Sequence, residues 1–370
     1  YEEQKPNTLA STHGPFNGPL MSGLKDGSGE YFTRLGVGTP PKQAFMVVDT
    51  GSDIIWIQCE PCIDCYTQTG PIFNPSSSRT FRKLPCTSPT CGLLELHGCQ
   101  ARTNICLYEV AYGDGSFTQG EFSSEALSFK EAIIRNVAIG CGHDNEGLFA
   151  GASGLFGLGG GGLSFISQVG RVYKKIFSYC LMDRDKEGLS TLTFGGLPRG
   201  VNKLLRNPSL NTFYYVGLSG ISVGGMLLHN IPATAFQMDS ANGDGGVIVD
   251  SGTSVTRLVE VAYGPLRSAF RAATRTLPFV GGFSLFDTCF DLSGRTRVTL
   301  PTLSLHFEGG AFMELPPTNY LVPVDSRGTY CFAFASTSGQ LSIIGNIQQQ
   351  GFRIVFDVAS ARFGFAPSSC

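Results

Sequence analysis

The sequence predicts an all-β protein made of two similar halves. Glycine accounts for 48 of the 370 residues and phenylalanine for 28, a composition that favours strands joined by tight turns over long helices. The string Asp-Thr-Gly-Ser at 49–52 returns as Asp-Ser-Gly-Thr at 250–253, near the start of the second half. We therefore expect a duplicated β unit with one acidic loop in each copy.

Short apolar runs separated by Gly, Asp and Asn predict the individual strands. In the first half these strands are expected at 31–37, 44–48, 54–58, 107–112, 122–129 and 133–139. Apolar residues at helical spacing predict two helices, at 163–169 and 260–274.

The repeat extends beyond the two acidic strings. Each string follows a short apolar run, at 45–48 and at 246–249. About a hundred residues later, each half contains two apolar residues and a glycine, Leu155-Phe156-Gly157 and Ile343-Ile344-Gly345. A glycine at that point lets a second strand pass close behind the acidic loop.

The chain divides into three expected regions. Residues 1–29 are rich in Gly, Pro and Ser and are expected to be an N-terminal arm or the remnant of an activation segment. Residues 30–200 are expected to form an N-terminal lobe with Asp49 and a cysteine-rich insert at 59–106. Residues 201–370 are expected to form a C-terminal lobe with Asp250, beyond a connection near 195–208.

The two acidic loops predict a catalytic pair of carboxylates. If the loops face each other, Asp49 and Asp250 lie side by side, and two such carboxylates resist ionising together. A pair that shares one proton can deprotonate a water and protonate a carbonyl oxygen in the same step. Alone, either Asp is more simply a turn residue at the end of a strand, so the inference depends on both.

The twelve cysteines indicate disulfide bonds. Seven of them crowd into 59–106, a density typical of proteins from an oxidising compartment. Zinc is the rival interpretation, because Cys59, Cys62 and Cys65 have ligand-like spacing. We expect disulfides and no metal.

Charge and motif content exclude other function classes. The formal net charge is −2, so nothing resembles the basic surface that binds nucleic acid, and no apolar run reaches the ~20 residues of a membrane span. The segment 157–162 fits Gly-x-Gly-x-x-Gly, but its surroundings are predicted to be β, whereas a dinucleotide site needs a βαβ unit.

From Glu30 to the C-terminus, these motifs resemble those of the pepsin-like (A1) aspartic endopeptidases. The insert after Trp56 and the string Ala-Tyr-Gly-Asp-Gly-Ser at 111–116 are similar to the plant nepenthesin-type subgroup. The strings Cys-Gly-His-Asp-Asn-Glu-Gly-Leu-Phe at 141–149 and Phe-Asp-Thr-Cys at 286–289 resemble guard-cell and chloroplast-nucleoid aspartic proteases. The resemblance implies a bilobal fold of two β-barrel-like lobes with a substrate cleft between them.

The resemblance also implies roles for individual residues. Asp49 and Asp250 would activate the water, and Tyr112 would lie on a hairpin flap with Trp56 as its hydrogen-bonding neighbour. Thr50 and Ser251 would cross-link the two loops, while Ser52 and Thr253 would hydrogen-bond the outer carboxylate oxygens. The residues expected to surround the pair are Thr50, Gly51, Ser52, Ser251, Gly252 and Thr253.

Other properties of the family carry over as expectations. The disulfide pairs would be Cys59–Cys62, Cys65–Cys141, Cys86–Cys106, Cys91–Cys99, Cys180–Cys370 and Cys289–Cys331. The protein would be a monomer without a cofactor, cleaving extended polypeptides that have apolar residues beside the scissile bond. It would act in the secretory pathway or apoplast, with the plastid as the other compartment.

Two alternatives for the function remain open from the sequence. Some plant proteins of this fold are catalytically silent binding or inhibitor proteins, although these typically lose a catalytic loop or the flap tyrosine. A retaining glycosidase would also use two carboxylates, held ~5–5.5 Å apart in a sugar cleft.

Overall fold

The computed structural model describes residues 14–184, 188, 190–196 and 202–367, and strands dominate them. The strands of the first half are β1 Phe16–Ser22, β2 Tyr31–Val37, β3 Lys42–Asp49, β4 Trp56–Gln58, β5 Asp64–Cys65, β6 Arg82–Lys83, β7 Leu96–Gln100, β8 Ile105–Ala111, β9 Phe117–Ser128, β10 Ile133–Glu146, β11 Gly154–Gly157, β12 Ile176–Cys180 and β13 Ser190–Phe194. The short helices α1 Phe165–Gln168 and α2 Gly170–Tyr173 precede β12.

The second half contains a similar set of strands and helices. Its strands are β14 Asn202–Leu205, β15 Tyr215–Val216, β16 Leu218–Val223, β17 Met226–Leu227, β18 Val247–Val249, β19 Thr256–Val259, β20 Phe279–Phe283, β21 Phe286–Asp291, β22 Leu303–Phe307, β23 Phe312–Leu315, β24 Leu321–Pro323, β25 Thr329–Phe332, β26 Phe334–Thr337, β27 Ser342–Ile344, β28 Phe352–Asp357 and β29 Arg362–Pro367. Its helices are α3 Glu260–Ala273 and α4 Asn346–Gln349.

The predicted duplication is confirmed by the strand pairing. In the first half, β11 pairs in parallel with β3 and antiparallel with β4. In the second half, β27 pairs in parallel with β18 and antiparallel with β19. Each apolar-apolar-Gly segment therefore lies between the strand that leads into an acidic loop and the strand that leaves it.

The glycines in these segments are required by close backbone contact. A Cβ on Gly157 would lie 2.8 Å from the amide nitrogen of Ile54, and a Cβ on Gly345 would lie 2.7 Å from the carbonyl oxygen of Ser254. Real Cβ atoms do not approach backbone this closely, so only glycine lets the strand pass behind the loop.

One sheet joins the two halves. Its six strands follow the order β1, β13, β12, β28, β29, β14, and every neighbouring pair is antiparallel. The first three strands come from the first half and the last three from the second. The expected N-terminal arm contributes β1 to this sheet, whereas residues 1–13 lie outside the described part. The lobe boundary at residue 200 stays a prediction, because 197–201 also lie outside it.

The predicted strands and helices agree with the structure, apart from their ends. Strand β2 and helix α3 match to within a residue, but β9 begins five residues early, at Phe117, and β10 continues to Glu146. These extensions are rich in polar residues, some of them buried, such as Thr118 and Asn145, which are hydrogen-bonded to each other, and an apolar pattern therefore missed them.

The expected disulfide pairing is wrong at four of the six pairs. The structure joins Cys59 to Cys141 and Cys62 to Cys65, because the parallel pairing of β4 with β10 brings Cys59 and Cys141 to a Cα–Cα distance of 5.3 Å. Cys59–Cys62 and Cys65–Cys141 are therefore excluded.

The insert contains the other two corrections. Cys91 pairs with Cys106 and Cys86 with Cys99, in place of Cys86–Cys106 and Cys91–Cys99. Cys91 and Cys106 are both buried in one apolar cluster, whereas Cys99 is exposed. The buried Cys91 therefore pairs with the buried Cys106 and not with the exposed Cys99.

The two remaining expected pairs lie outside the insert. Cys289–Cys331 is confirmed, since the two residues lie opposite each other on β21 and β25. Cys180 is disulfide-bonded, but its expected partner Cys370 lies outside the described residues. Every cysteine in the described part of the chain is disulfide-bonded, so these thiols are not zinc ligands.

None of the helices in the described ranges combines the length and the hydropathy that a membrane crossing needs.

We predict that Gly157→Ala lowers the free energy of unfolding by about 1–3 kcal/mol, because the new methyl group would press on the backbone of the acidic loop. Gly162→Ala is the matched control from the same glycine-rich segment, since a Cβ there meets only Leu93 Cδ1 at 3.6 Å. Urea denaturation of both variants checks this. Equal midpoints for the two variants would contradict the packing argument.

Candidate active site

The two acidic loops lie against each other, as the sequence predicts. Asp49 ends β3, Asp250 directly follows β18, and both side chains are buried. A Cβ on Gly51 would lie 2.8 Å from Asp250 Oδ2, and a Cβ on Gly252 would lie 2.7 Å from Asp49 Cγ. Each glycine therefore makes room for the carboxylate of the opposite half, which places the two carboxylates side by side.

Each carboxylate accepts the same two hydrogen bonds from its own loop. The donors are a backbone N–H two residues on and a side-chain hydroxyl three residues on. In the first half, Asp49 Oδ1 accepts from Gly51 N at 2.8 Å and Oδ2 accepts from Ser52 Oγ at 2.5 Å. In the second half, Asp250 Oδ1 accepts from Gly252 N at 2.9 Å and Oδ2 accepts from Thr253 Oγ1 at 2.7 Å. The geometry expected for Ser52 and Thr253 is thus present.

The two loops are also cross-linked beneath the carboxylates. The Ser251 N–H donates to Thr50 Oγ1 at 2.9 Å, and the Thr50 N–H donates to Ser251 Oγ at 3.2 Å. Each hydroxyl in turn donates across the interface, Ser251 Oγ to the Val48 carbonyl at 2.8 Å and Thr50 Oγ1 to the Val249 carbonyl at 3.4 Å. Both hydroxyl residues are fully buried, so this reciprocal link fixes the distance between the loops.

Tyr112 lies at the turn of a hairpin formed by β8 and β9. Its hydroxyl accepts a 2.7 Å hydrogen bond from Nε1 of Trp56, which is fully buried. Phe149 lies edge-on to both rings, with centroid distances of 5.0 Å to Trp56 and 6.0 Å to Tyr112. The structure therefore brings together the pair predicted from the sequence and adds Phe149 beneath the hairpin.

A cleft of about 640 Å³ opens above the two carboxylates. Tyr112 and Leu148 line it on the side of the first half, and Leu285 lies on the side of the second. Further apolar lining comes from Val47, Phe149, Leu155, Phe213, Ile248, Val255, Leu341 and Ile343. A larger recess of about 1390 Å³ lies between the insert and the base of the hairpin, but neither aspartate lines it.

Comparison with known proteins agrees with this geometry. Family models described as "Xylanase inhibitor N-terminal" and "Xylanase inhibitor C-terminal" match residues 31–196 and 213–367. "Aspartyl protease family protein 2" from Arabidopsis thaliana is 56% identical over 368 residues, which are 98% of this chain and 76% of the relative. The chain belongs to the pepsin-like aspartic protease family.

Two further relatives place the protease within that family. "Protein ASPARTIC PROTEASE IN GUARD CELL 2" from Arabidopsis thaliana is 47% identical, over 96% of this chain and 76% of the relative. "Aspartic proteinase nepenthesin-1" from Nepenthes gracilis is 41% identical, over 96% of this chain and 82% of the relative. The resemblance to the nepenthesin-type and guard-cell proteases is thus confirmed.

The solved structure titled "Crystal structure of edgp" has a TM-score of 0.79 to this protease at 20% identity, covering 98% of this chain and 96% of that chain. At this identity the likeness concerns the fold alone, which is the bilobal, mostly β fold expected from the sequence.

Electrostatics keep a proton on the carboxylate pair. Burial, followed by the charge of Asp250, raises the pKa of Asp49 well above its ordinary value, and a hydrogen bond between the two side chains raises it further. Hydrogen bonds from Ser52 and Gly51 lower the pKa, but by less. The arrangement therefore favours a protonated Asp49 carboxyl hydrogen-bonded to its neighbour.

Sequence analysis missed a third carboxyl group in the cleft. Burial raises the pKa of Glu30 to about 7. The Ser28 hydroxyl donates to Glu30 Oε2 at 2.8 Å and opposes this increase, whereas the charges of Asp114 and Asp250 add to it. Glu30 precedes β2 in sequence, far from both motifs, so only the folded chain reveals its position.

Two polar residues of the 346–350 segment support the second loop. Gln349 Nε2 donates to the Asp250 carbonyl at 3.0 Å, and its Oε1 accepts from the Tyr179 hydroxyl at 2.5 Å. Asn346 Nδ2 donates to the Ser251 carbonyl at 3.1 Å and to the Gly29 carbonyl at 3.0 Å. These residues could have been recognised in the sequence from the polar residues that directly follow the apolar Ile343-Ile344-Gly345.

We predict that Glu30→Gln alters how stability depends on pH. An acid whose pKa rises from 4.5 to about 7 on folding stabilises the protein fully below pH 4.5, and this contribution is lost as pH rises through 7. At about 1.4 kcal/mol per pKa unit, the free energy of unfolding of the parent falls by up to about 3 kcal/mol relative to that of Glu30→Gln across that window. Denaturation at pH 4.5 and 7.5 measures this, with the exposed Glu314→Gln as control. Parallel pH dependences of parent and Glu30→Gln would contradict it.

We predict that Tyr112→Phe lowers the free energy of unfolding by about 1–3 kcal/mol, because it leaves the buried Trp56 N–H without an acceptor. Tyr66→Phe is a matched control, since Tyr66 belongs to the same aromatic cluster and its buried hydroxyl has no hydrogen-bond partner among the described residues. Thermal unfolding of the two variants distinguishes them. A Tyr66→Phe loss as large as that of Tyr112→Phe would show that removal of a buried hydroxyl, rather than loss of the hydrogen bond to Trp56, is responsible.

Proposed function

We propose that the protein is an aspartic endopeptidase that hydrolyses peptide bonds in extended polypeptides with a water activated by Asp49 and Asp250. The observation that carries this proposal is the pair of buried, adjacent carboxylates, held in matched loops where burial and the neighbouring charge raise the pKa of Asp49. The names of the protein's relatives support the same activity.

The geometry is suited to general acid–base hydrolysis. One carboxylate accepts a proton from the attacking water while the other donates its proton to the carbonyl oxygen, so a C–O bond forms as the carbonyl π bond opens. The resulting gem-diol collapses with cleavage of the C–N bond: the carboxyl that took the proton of the water delivers it to the leaving nitrogen, and one gem-diol hydroxyl returns its proton to the other carboxylate as the C=O bond re-forms. The pair thereby returns to its starting state with one proton.

The cleft lining supports a preference for apolar side chains beside the scissile bond. Leu148 is 85% exposed at the rim beside the hairpin, and Leu285 lies on the rim of the other half. An extended peptide would place alternate side chains against such surfaces while its backbone pairs with strand-like edges. Closure of the Tyr112 hairpin over the peptide would exclude water. We expect the protein to act as a monomer.

A catalytically silent binding protein is not favoured, although the matching family models carry inhibitor names. Each carboxylate accepts a hydrogen bond from its loop hydroxyl and Tyr112 accepts one from Trp56, which supports an intact catalytic site. A retaining glycosidase needs ~5–5.5 Å between its carboxylates, whereas here the two side chains are within hydrogen-bonding reach of each other.

The disulfide bonds fit the secretory pathway, where thiols oxidise. Within that setting we propose the apoplast as the site of action, with the plastid as the alternative. Fractionation of plant tissue distinguishes these compartments.

We predict that Asp49→Asn and Asp250→Asn each reduce cleavage of a denatured protein by about 10²–10⁴-fold, the contribution typical of general acid–base transfer. The assay runs from pH 3 to pH 7, with circular dichroism to confirm folding. Asp287→Asn, which alters a carboxylate bonded to Tyr263 and Arg267 on another element, is the control. A folded parent that cleaves nothing across this range would favour the binding-protein alternative.

A further inference from the structure

The glycine-rich segment 157–162 surrounds a carboxylate of this chain. A Cβ on Gly159 or on Gly161 would overlap the side-chain oxygens of Asp53, and a Cβ on Gly159 would also lie 2.9 Å from the carbonyl oxygen of Thr212. Glycine at these positions therefore lets the segment close around Asp53, which explains a motif that the proposed reaction does not use.

Asp53 joins three separate segments through hydrogen bonds. Its Oδ1 accepts from the Gly161 N–H at 2.8 Å, and its Oδ2 accepts from the Thr212 hydroxyl at 2.8 Å. The backbone reinforces these contacts, because the Gly160 N–H donates to the Thr212 carbonyl at 2.8 Å. Thr212 belongs to the second half of the chain, just before β15, so the carboxylate connects the two halves.

Asp53 is also directly linked to the catalytic loop. It follows Ser52, whose hydroxyl bonds Asp49 Oδ2 and whose carbonyl accepts from the Gly159 N–H at 2.8 Å. Any shift of Asp53 relative to the glycine-rich segment therefore moves the residue that orients Asp49. The Thr50–Ser251 link lies beneath the carboxylates, whereas the Asp53–Thr212 link lies where the chain leaves the loop.

We propose that Asp53 is a positioning residue for the peptidase reaction: seated in the glycine-rich segment and bonded to Thr212, it holds Ser52 and Asp49 in register with the second half. This proposal rests on the function proposed above. An aspartate suits the position because its two oxygens accept both donors, whereas asparagine has one acceptor oxygen.

The surroundings of Asp53 act on its pKa in both directions. Burial raises the pKa of Asp53, the hydrogen bonds from Thr212 and Gly161 oppose this, and the charge of Glu95 adds to it. Burial, followed by the charge of Asp53, raises the pKa of Tyr214. The hydrogen bonds from Thr212 and Gly161 favour the charged form of Asp53, in which its two oxygens accept both donors.

The test compares Thr212→Val, which removes the hydroxyl, with Thr212→Ser, which keeps it, and with Asp53→Asn. We expect Thr212→Val and Asp53→Asn to lower kcat about ten-fold with little change in KM, because small misplacements of a catalytic group are costly. Thr212→Ser should retain the parent kcat. The control Asp287→Asn should lower the melting temperature alone.

Hydrogen–deuterium exchange provides a readout that does not need activity. In Asp53→Asn, peptides covering 48–53, 157–162 and 210–214 should exchange faster together, while in Asp287→Asn they should match the parent. A folded Thr212→Val variant with the parent kcat and parent exchange would overturn the proposal. A lower melting temperature of Thr212→Val and Asp53→Asn at unchanged kcat would also overturn it. An inactive parent would instead refute the proposed function, and the exchange pattern would then decide whether Asp53 couples the three segments.

Discussion

The contact between the two acidic loops is the constraint on which the rest of the structure depends. Two buried carboxylates repel each other unless they share a proton, so their separation must be held closely. Thr50 and Ser251 provide this by exchanging hydrogen bonds in both directions while fully buried. Because Gly51 and Gly252 lack side chains, each loop can approach the carboxylate of the other. Removing any of these features would separate the pair.

The surrounding architecture serves the same contact at longer range. Strands β11 and β27 press on the backs of the loops, and the six-stranded sheet from β1 to β14 makes the two halves one body. The sheet is itself divided equally between the halves, as the duplicated sequence suggests. The repeated unit therefore supplies half of a site and half of the platform beneath it, and neither half contains a complete carboxylate pair.

Features that a short stretch of sequence specifies could be predicted. The acidic loops, their hydroxyl donors, the apolar-apolar-Gly segments and the six strands expected in the first half depend on adjacent residues, and the structure contains them. The disulfide partners depend on which strands pair: Cys59 meets Cys141 only because β4 and β10 run in parallel. Glu30 and Phe149 reach the site from distant segments, so no local pattern marks them.

The glycine-rich segment shows why a motif alone misleads. Glycines let a backbone close around an anion and direct N–H groups toward it, and this property is the same whether the anion is a phosphate or a carboxylate. In a nucleotide-binding protein the anion is a ligand, whereas here it is Asp53, which receives the Gly161 N–H. The surrounding β structure excluded the nucleotide, but only the fold identifies the carboxylate that takes its place. Local chemistry thus specifies the kind of partner, and long-range packing specifies which one.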